Sequence, residues 1–208
     1  MPGERKLVVT ENITLDGVIE ATEGWFAPAG DEYAVDNSDI EATMRRAMAE
    51  QDALLLGRRT FEDMRGYWPH QTDDTTGITD HLNKVSKYVM SSTMQDPEWE
   101  NTTVLQGSLE DEVQALKAAP GKDIGVTGSI SLVRDLIPAG LVDEYRLFVY
   151  PVVLGRGERL FAHATDVPKL RLLEATPFRS GVVLLSYRRA DRRRGIPSPS
   201  GLPGPERG

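Results

Sequence analysis

The sequence predicts a three-layer α/β fold, in which helices cover both faces of a mixed, mostly parallel sheet. The first observation is that strand and helix patterns alternate from residue 7 to residue 140, which is typical of crossover units on a parallel sheet. The second is that residues 170–176 and 182–188 flank the turn residues Arg179, Ser180 and Gly181. This pattern predicts a hairpin, so we expect the sheet to finish antiparallel.

The composition indicates one globular domain followed by a tail. The chain has 208 residues, 39% of them hydrophobic and 27% charged, which is enough to bury one core. We expect the domain to span residues 1–190, and residues 191–208, rich in proline, glycine and arginine, to be disordered. The net charge of −8 argues against a nucleic-acid partner. No apolar run suits a membrane span or a signal peptide, so we expect no membrane partner and a cytoplasmic location.

The first part of the chain shows a strand, a long connection and a helix. Residues 7–10 have a strand pattern, and a stretch bearing glycine, alanine and proline follows over residues 16–37. Connections of this length are often functional, and we expect a lid that excludes water. Ser38 and Glu41 match a capping box, which predicts that a helix begins here. Its inward stripe is expected to contain Ile40, Met44, Ala47, Met48 and Gln51.

Further along, short apolar runs predict buried strands, and regularly spaced apolar residues predict helices. Strand patterns occur at residues 53–56, 88–90, 103–105, 124–127 and 144–153. Helices are expected around Thr60, from a cap at Ser108 to Pro120, and over residues 129–137. This order puts a helix between most pairs of parallel strands.

Several kinds of catalytic site are excluded by what the chain lacks. It has no cysteine, which removes thiolate catalysis, disulfides and cysteine-ligated metals. It contains no Gly-x-Ser-x-Gly, His-Glu-x-x-His or Walker-type motif, which argues against the common hydrolases and kinases. The three histidines, His70, His81 and His163, show no ligand spacing, so we predict neither a metal site nor a histidine base.

Three strand-to-helix junctions are rich in small and hydroxyl residues, and they lie at residues 57–60, 90–92 and 126–131. A helix that begins at such a junction offers free backbone N–H groups to an anion. In open α/β sheets, ligands bind at the carboxyl ends of the strands. We therefore expect a ligand that carries several phosphates.

Taken in order, these junctions resemble the three nucleotide-binding segments of the dihydrofolate reductase fold. The motifs are Gly57-Arg58-Arg59-Thr60-Phe61-Glu62, Met90-Ser91-Ser92 and Val126-Thr127-Gly128-Ser129. Two further segments resemble, more closely, the reductase domain of bifunctional riboflavin-biosynthesis proteins and its stand-alone bacterial relatives. They are Thr14-Leu15-Asp16-Gly17-Val18-Ile19 and Pro151-Val152-Val153-Leu154-Gly155-Arg156-Gly157.

The resemblance implies NADPH as the cofactor and assigns residues to each of its parts. Arg58, Ser91 and Ser92 would hold the adenosine 2′-phosphate, with Gly57 and Thr60 near the phosphates. Thr127, Gly128, Ser129, Ile130 and Ser131 would cover the pyrophosphate, and Asp16, Gly17 and Ile19 would line the nicotinamide side. An arginine and hydroxyl groups suit a 2′-phosphate, because sites for NAD place an acidic residue there.

The substrate side has fewer signals. Dihydrofolate reductases use a carboxylate early in the first helix, where this chain has Asp39 and Glu41, preceded by Asp36. These acids are candidate proton donors or substrate clamps, although acids in a first helical turn also complement the helix dipole. The aromatic candidates for a wall against a flat heterocycle are Trp25, Phe26, Tyr33 and Trp68, which as core residues would have no such role.

We therefore expect an NADPH-dependent reductase that transfers hydride to a C=N or C=O of a small, pteridine- or pyrimidine-like substrate. The alternatives are a true dihydrofolate reductase, a non-catalytic NADP-binding module, and an interaction scaffold that uses the arginine-rich tail. A homodimer is also expected, because residues 145–153 form a long apolar strand pattern and relatives of this fold pair through their sheets.

Overall fold

An eight-stranded mixed sheet forms the centre of the protein. The structure, a computed structural model, describes residues 5–21, 24–25, 36–74, 76–162 and 169–190. The strands are β1 (Leu7–Thr14), β2 (Gln51–Gly57), β3 (Ser86–Met90), β4 (Thr102–Leu105), β5 (Asp123–Thr127), β6 (Glu144–Tyr150), β7 (Leu170–Pro177) and β8 (Val183–Arg189). The helices are α1 (Ser38–Ala49), α2 (Arg58–Tyr67), α3 (Ile78–Lys84), α4 (Leu109–Ala118) and α5 (Ile130–Leu136), with a 3₁₀ turn at Trp68–His70.

The strands follow the order β4-β3-β2-β5-β1-β6-β8-β7. All neighbours from β4 to β6 pair parallel, whereas β8 runs antiparallel to both β6 and β7. The parallel part requires crossover connections, which contain helices except between β3 and β4, and the β7–β8 hairpin needs only the short turn at residues 178–182. The predicted fold class, a mostly parallel sheet that ends in an antiparallel hairpin, is confirmed.

Helices lie on both faces of the sheet. The larger core packs one face of β1, which carries Leu7, Val9 and Ile13, together with buried residues of α4 and α5. On the opposite face, Leu54 and Leu56 of β2 pack with residues of α2 and α3. Helix α1 lies on this second side, where Ile40 contacts a smaller cluster of β6, β8 and the hairpin turn. The three predicted layers are therefore present.

Two helix starts differ in how well the sequence predicted them. At α4, the Ser108 hydroxyl accepts a hydrogen bond from the N–H of Asp111 at 3.2 Å, so the predicted cap is confirmed. At α1, Ser38 is already the first helical residue, and Asn37 occupies the cap position without a side-chain cap bond, while the Ser38 N–H donates to the Asp36 carboxylate at 3.0 Å. The predicted capping box is therefore wrong. Glu41 instead pairs with Arg45 at 3.6 Å, one turn along α1.

The strand expected to support a dimer is not available for pairing. β6 ends at Tyr150 and is hydrogen-bonded to β1 on one side and to β8 on the other, so neither edge can accept a second copy. The homodimer stays a prediction, but its sequence argument was wrong. The tail at residues 191–208 lies outside the described residues. No described helix is both long and apolar enough to cross a bilayer.

Candidate active site

The strand ends that carry the predicted nucleotide motifs lie next to one another. The strands β3, β2, β5 and β1 are neighbours in the sheet and run in the same direction. Gly57 is the register partner of Met90, so the junctions after β2 and β3 start side by side. Thr127 is likewise the partner of Thr10, which brings the junction after β5 beside β1. The three junctions therefore form one edge of the sheet, as their order along the chain predicted.

Two hydrogen bonds fasten the junction after β5 to the start of α2. The backbone N–H of Gly57 donates to the Ser129 hydroxyl at 3.0 Å, and the N–H of Ser129 donates to the Thr60 hydroxyl at 2.9 Å. Gly128 and Ser129 both have left-handed backbones, with φ of +59° and +54°. A Cβ at position 128 would lie 3.2 Å from the Thr60 methyl group, which explains the glycine. Thr60 and Ser129 thus fix the spacing of the two junctions.

The start of α2 presents groups that can hold an anion. No side chain caps α2, and the first N–H groups of an α-helix have no partner within the helix. The Arg58 side chain is 55% exposed and lies 4.0 Å from Glu62, a distance typical of a weak surface pair. The Ser91 hydroxyl accepts from the N–H groups of Thr93 and Met94, so its own proton is left to donate, and Ser92 is exposed.

Asp16, which was assigned to the nicotinamide side, anchors the loop after β6. Its carboxylate accepts hydrogen bonds from the Thr14 hydroxyl at 2.7 Å and from the N–H groups of Leu154 and Gly155, and it pairs with Arg159 at 3.2 Å. These bonds, with that of Thr14 the strongest influence, lower the pKa of Asp16 to about 2. Its oxygens are therefore already occupied.

The other two residues assigned to the nicotinamide side stand at the same turn. Gly17 has a φ of +90°, and its carbonyl accepts from the N–H of Leu160 at 3.2 Å. The Ile19 side chain is 6% exposed and packs in the larger core. The turn at Gly17 is thus hydrogen-bonded to the segment after β6. The Ile19 side chain is packed in the core and is not exposed to a ligand.

A cavity of about 470 Å³ lies between α1 and the face of the sheet beneath it. Its walls include Met44, Ala47 and Met48 of the predicted α1 stripe, so the stripe faces inward as expected, but across a cavity. No described α1 residue is buried. Trp68 lines the cavity, and so does Thr127 at the carboxyl end of β5.

One end of this cavity is charged. The Arg146 guanidinium donates to Glu144 at 2.8 Å and to Glu50 at 2.9 Å, and all three residues line the cavity. Most of the remaining wall is apolar. An apolar cavity with a few convergent polar groups is typical of a site for a small heterocyclic ligand.

The predicted catalytic acids do not line this cavity. Asp39 accepts from the Arg179 N–H at 3.1 Å and lies 3.6 Å from its guanidinium, while Glu41 pairs with Arg45 on the exposed side. Asp36 also pairs with Arg179. Asp36 and Asp39 thus join α1 to the β7–β8 turn, and the assignment of Asp39 and Glu41 to catalysis stays a prediction.

Of the two aromatic candidates that the structure describes, one lines the cavity and the other does not. The Trp25 indole N–H donates to the carbonyl of Glu20 at 2.7 Å, and its ring meets Tyr150 edge-on at 5.4 Å, outside the cavity lining. Phe26 and Tyr33 lie outside the described residues, as does His163. Only Trp68 of the described candidates contacts the cavity.

Two polar residues in or near the site were missed from the sequence. His81 lines the cavity, and its Nε2 is buried without a hydrogen-bond partner among the described residues. Burial, and secondly the charge of Lys87, lower the pKa of His81. The spacing of Ile78, His81 and Leu82 was the available signal, since it marks one face of a helix. Glu11 is the second missed residue, and its signal was an acid among the inward-facing residues of β1.

Comparison with known proteins matches the chain to one protein family and to two proteins of Bacillus subtilis. The family model of the RibD C-terminal domain matches residues 5–184. The Bacillus subtilis protein YyaP is 33% identical over 186 residues, covering 88% of this chain and 95% of its own length. A second protein of that organism, YwjB, is 29% identical over 184 residues, covering 87% and 97%.

Solved structures share the fold at low identity. A protein of Shewanella sp. PV-4 described as a riboflavin biosynthesis protein superposes with a TM-score of 0.68 at 19% identity, covering 89% of this chain and 99% of its own. A pyrimidine reductase-like protein of Corynebacterium diphtheriae gives 0.61 at 17%, covering 89% and 92%. The Thermotoga maritima diaminohydroxyphosphoribosylaminopyrimidine deaminase/5-amino-6-(5-phosphoribosylamino)uracil reductase gives 0.61 at 14%, covering 90% of this chain and 57% of its own.

Proposed function

The chain belongs to the RibD C-terminal domain family, a family of reductases, and we propose on this premise that it is an NADPH-dependent reductase of a small pyrimidine-like substrate. The observation that carries the proposal is the row of three junctions at one edge of the sheet, with a cavity of about 470 Å³ beside it. Thr127 belongs to both, so a cofactor at the edge would lie next to a substrate in the cavity.

The residues at the edge fit a phosphorylated dinucleotide. Arg58, Ser91 and Ser92 would bind the 2′-phosphate, because they combine a positive charge with hydroxyl donors. The pyrophosphate would lie over Gly57 and over the turn of Gly128 and Ser129, where the glycines permit close approach of the backbone. NADPH supplies a hydride when bound, and the protein supplies its orientation against the substrate.

The cavity favours a pyrimidine-like ring over a folate. Its apolar walls and Trp68 suit a flat ring, and Arg146 with Glu144 offers hydrogen-bonding groups at one end. The first-turn acids of α1, which a dihydrofolate reductase would need in this space, pair with Arg179 and Arg45 instead. The hydride acceptor would be a C=N or C=O group of the bound substrate.

The cofactor assignment is tested by comparing two neighbouring arginines. Arg58→Gln should weaken NADPH binding by about tenfold or more, because a charged hydrogen bond to phosphate is lost, and should leave NADH binding nearly unchanged. Arg59→Gln, one residue along the same helix, is the matched control and should bind both cofactors as the wild type does. Equal losses for NADPH and NADH in Arg58→Gln would contradict the assignment.

The reaction is tested by following NADPH oxidation at 340 nm with ribosylated aminopyrimidinones, dihydrofolate, and simple imines and ketones. We expect turnover with an aminopyrimidinone and none with dihydrofolate. Tight NADPH binding without oxidation across the whole panel would favour the non-catalytic NADP-binding module, whereas turnover of dihydrofolate alone would favour a true dihydrofolate reductase.

A further inference from the structure

A row of polar residues crosses the sheet beneath α1. Its members come from five neighbouring strands, each is the register partner of the next, and all of them line the cavity. Starting from the carboxyl end of β5, this polar row is Thr127, Thr10, Arg146, Ser186 and Glu174. Because neighbouring strands lie about 4.8 Å apart, the backbone of Arg146 stands about 10 Å from that of Thr127. One heterocyclic ring and its hydrogen bonds can span that distance.

Arg146, at the centre of the polar row, is held in place by two carboxylates. Its Nε donates to Glu144 at 2.8 Å and its Nη2 to Glu50 at 2.9 Å, so neither bond uses the Nη1 group. The Arg146 side chain is 14% exposed and that of Glu144 is 8% exposed. A guanidinium carries five N–H donors in one plane. The two carboxylates therefore fix this plane and leave the Nη1 donors to a ligand in the cavity.

The positive charge of Arg146 is balanced by its surroundings. Among the described residues that line the cavity, the acids and arginines are Arg46, Arg146, Glu50, Glu144 and Glu174. Lys6, whose Nζ lies 3.4 Å from Glu144, offsets one glutamate from outside the lining. Burial lowers the pKa of His81, the other titratable residue of this lining, so it adds no charge at neutral pH. The described walls therefore hold no surplus positive charge for an anion.

We propose that Arg146 is the specificity-determining residue of the cavity, where it donates to the neutral carbonyl oxygen of a cyclic amide rather than to an anionic group. The inference rests on the proposed function and narrows its substrate class to rings that are uncharged at this end. Glu144, which lines the cavity beside Arg146, would accept from a ring N–H next to that carbonyl. The glutamates would repel a phosphate or carboxylate group here, which excludes the wrong ligand as well as holding the right one.

The test uses orotamide and orotate, two uracil derivatives of nearly the same shape that differ by one negative charge. Each is titrated into the full-length protein without cofactor, and binding is followed in ¹H–¹⁵N spectra. We expect orotamide to bind at least about tenfold more tightly than orotate, with the largest shifts at the amides of Thr10, Arg146 and Ser186. A preference for orotate, equal affinity, shifts elsewhere only, or no binding of orotamide up to about 10 mM would overturn the proposal.

The role of the surrounding charge is tested by Glu50→Gln, which removes one negative charge beside Arg146. The Glu50 side chain is 58% exposed, so we expect this variant to fold. The affinity of orotate relative to orotamide should rise by about threefold or more. Glu110→Gln is the matched control, because it removes an equal charge from an exposed position of α4 on the other face of the sheet. An unchanged ratio in Glu50→Gln, or the same rise in Glu110→Gln, would overturn the proposal.

The donor itself is tested by Arg146→Met, which keeps a long side chain without its N–H groups. Orotamide affinity should fall by about tenfold or more, because a charged hydrogen bond is lost. A merely structural role would weaken NADPH by the same factor, whereas we expect NADPH affinity to stay within about threefold of the wild type. Wild-type affinity for orotamide in Arg146→Met would overturn the proposal, and if this variant does not fold, the ratio in Glu50→Gln decides alone.

Failure of this inference differs from failure of the proposed function. The titrations with orotamide and orotate need no cofactor, so they stand even if the wild type binds no NADPH, which would contradict the proposed function. NADPH binding together with a preference for orotate would overturn this inference alone.

Discussion

Lys87 is fully buried in β3, beneath the end of α3. Its ammonium donates to the carbonyls of Leu82 and Val85 at 2.7 and 3.0 Å and lies 4.6 Å from the Trp99 ring centre. Burial, partly opposed by Glu100, lowers the pKa of Lys87 to about 8. The charge thus satisfies the last carbonyls of α3 but is less favourable in the folded chain than in the unfolded one.

This lowered pKa predicts a pH dependence of stability. Between about pH 8 and the ordinary lysine pKa near 10.4, the unfolded chain keeps a proton at Lys87 that the folded chain has lost. Raising the pH in this window therefore stabilises the folded state, by up to about 1.4 kcal/mol per unit from this group. Urea unfolding should show the wild type gaining stability relative to Lys87→Met from pH 8 to 10. In the exposed control Lys84→Met, the difference in unfolding free energy from the wild type should stay constant from pH 8 to 10. A constant difference for Lys87→Met as well would contradict this prediction.

For single residues, the sequence predicted which kinds of side chain occur better than it predicted which residues they contact. The acids at the start of α1 were recognised, but Asp39 turns toward Arg179, which lies 140 positions away and meets α1 only because the hairpin folds back over it. Glu11 was visible as an acid in an apolar alternation, yet its contact with the strands that bury it depends on the pairing of β1 with β5 and β6. No local pattern contains either contact.

Among the elements, two serines at helix starts make a matched pair. Ser108→Ala should lower the free energy of unfolding by about 1 kcal/mol, because the Asp111 N–H loses its acceptor. Ser38→Ala should change it by less than about 0.5 kcal/mol, because the Ser38 side chain caps nothing. Chemical unfolding of both variants measures the difference. A larger loss in Ser38→Ala than in Ser108→Ala would reverse the assignment of the two caps.

The link between α2 and the turn after β5 should behave as one unit. Ser129→Ala removes the acceptor of the Gly57 N–H, and Thr60→Val removes the acceptor of the Ser129 N–H. Each should lower stability by about 1 kcal/mol, and the double variant should lose less than the sum by about 0.5 kcal/mol or more. A double-mutant cycle in urea measures this coupling, and strict additivity would show that the two bonds act separately.

Elements with strong local signals were predicted well, and those set by packing were not. The buried strands β2 and β5 and the final hairpin follow from apolar runs and turn residues, which act locally. Helix α3 and the 3₁₀ turn before it were missed, since they are short and their sequence is polar. The distance of α1 from the sheet, which creates the cavity, depends on the side chains opposite it rather than on its own stripe.

For the molecule as a whole, chain order predicted that the three motifs lie side by side, but it did not predict the cavity beside them. Alternating strands and helices predict that strand ends share an edge, and the order β3-β2-β5-β1 brings the three motifs together. The cavity could not be predicted in this way, because its walls come from the helices α1, α2 and α3 on one side and from six strands. The residues that would contact a substrate therefore stay predictions.

The pairing of the sheet limits which strand a homodimer could use. Both edges of β6 are paired, whereas Leu172 and Leu173 of the edge strand β7 are 50% and 47% exposed. We predict that any homodimer leaves β6 unchanged, so that Val149→Thr does not alter the molar mass measured by light scattering after size exclusion. A shift from dimer to monomer in Val149→Thr would show instead that β6 lies in the dimer interface.

The central claim is that the three strand ends form a site for a 2′-phosphorylated nicotinamide cofactor. The most direct measurement is a calorimetric titration of the wild-type protein with NADPH and with NADH under identical conditions. We predict one site per chain, with NADPH bound at least about tenfold more tightly than NADH. Equal affinity for the two, or no binding of either, would contradict the claim.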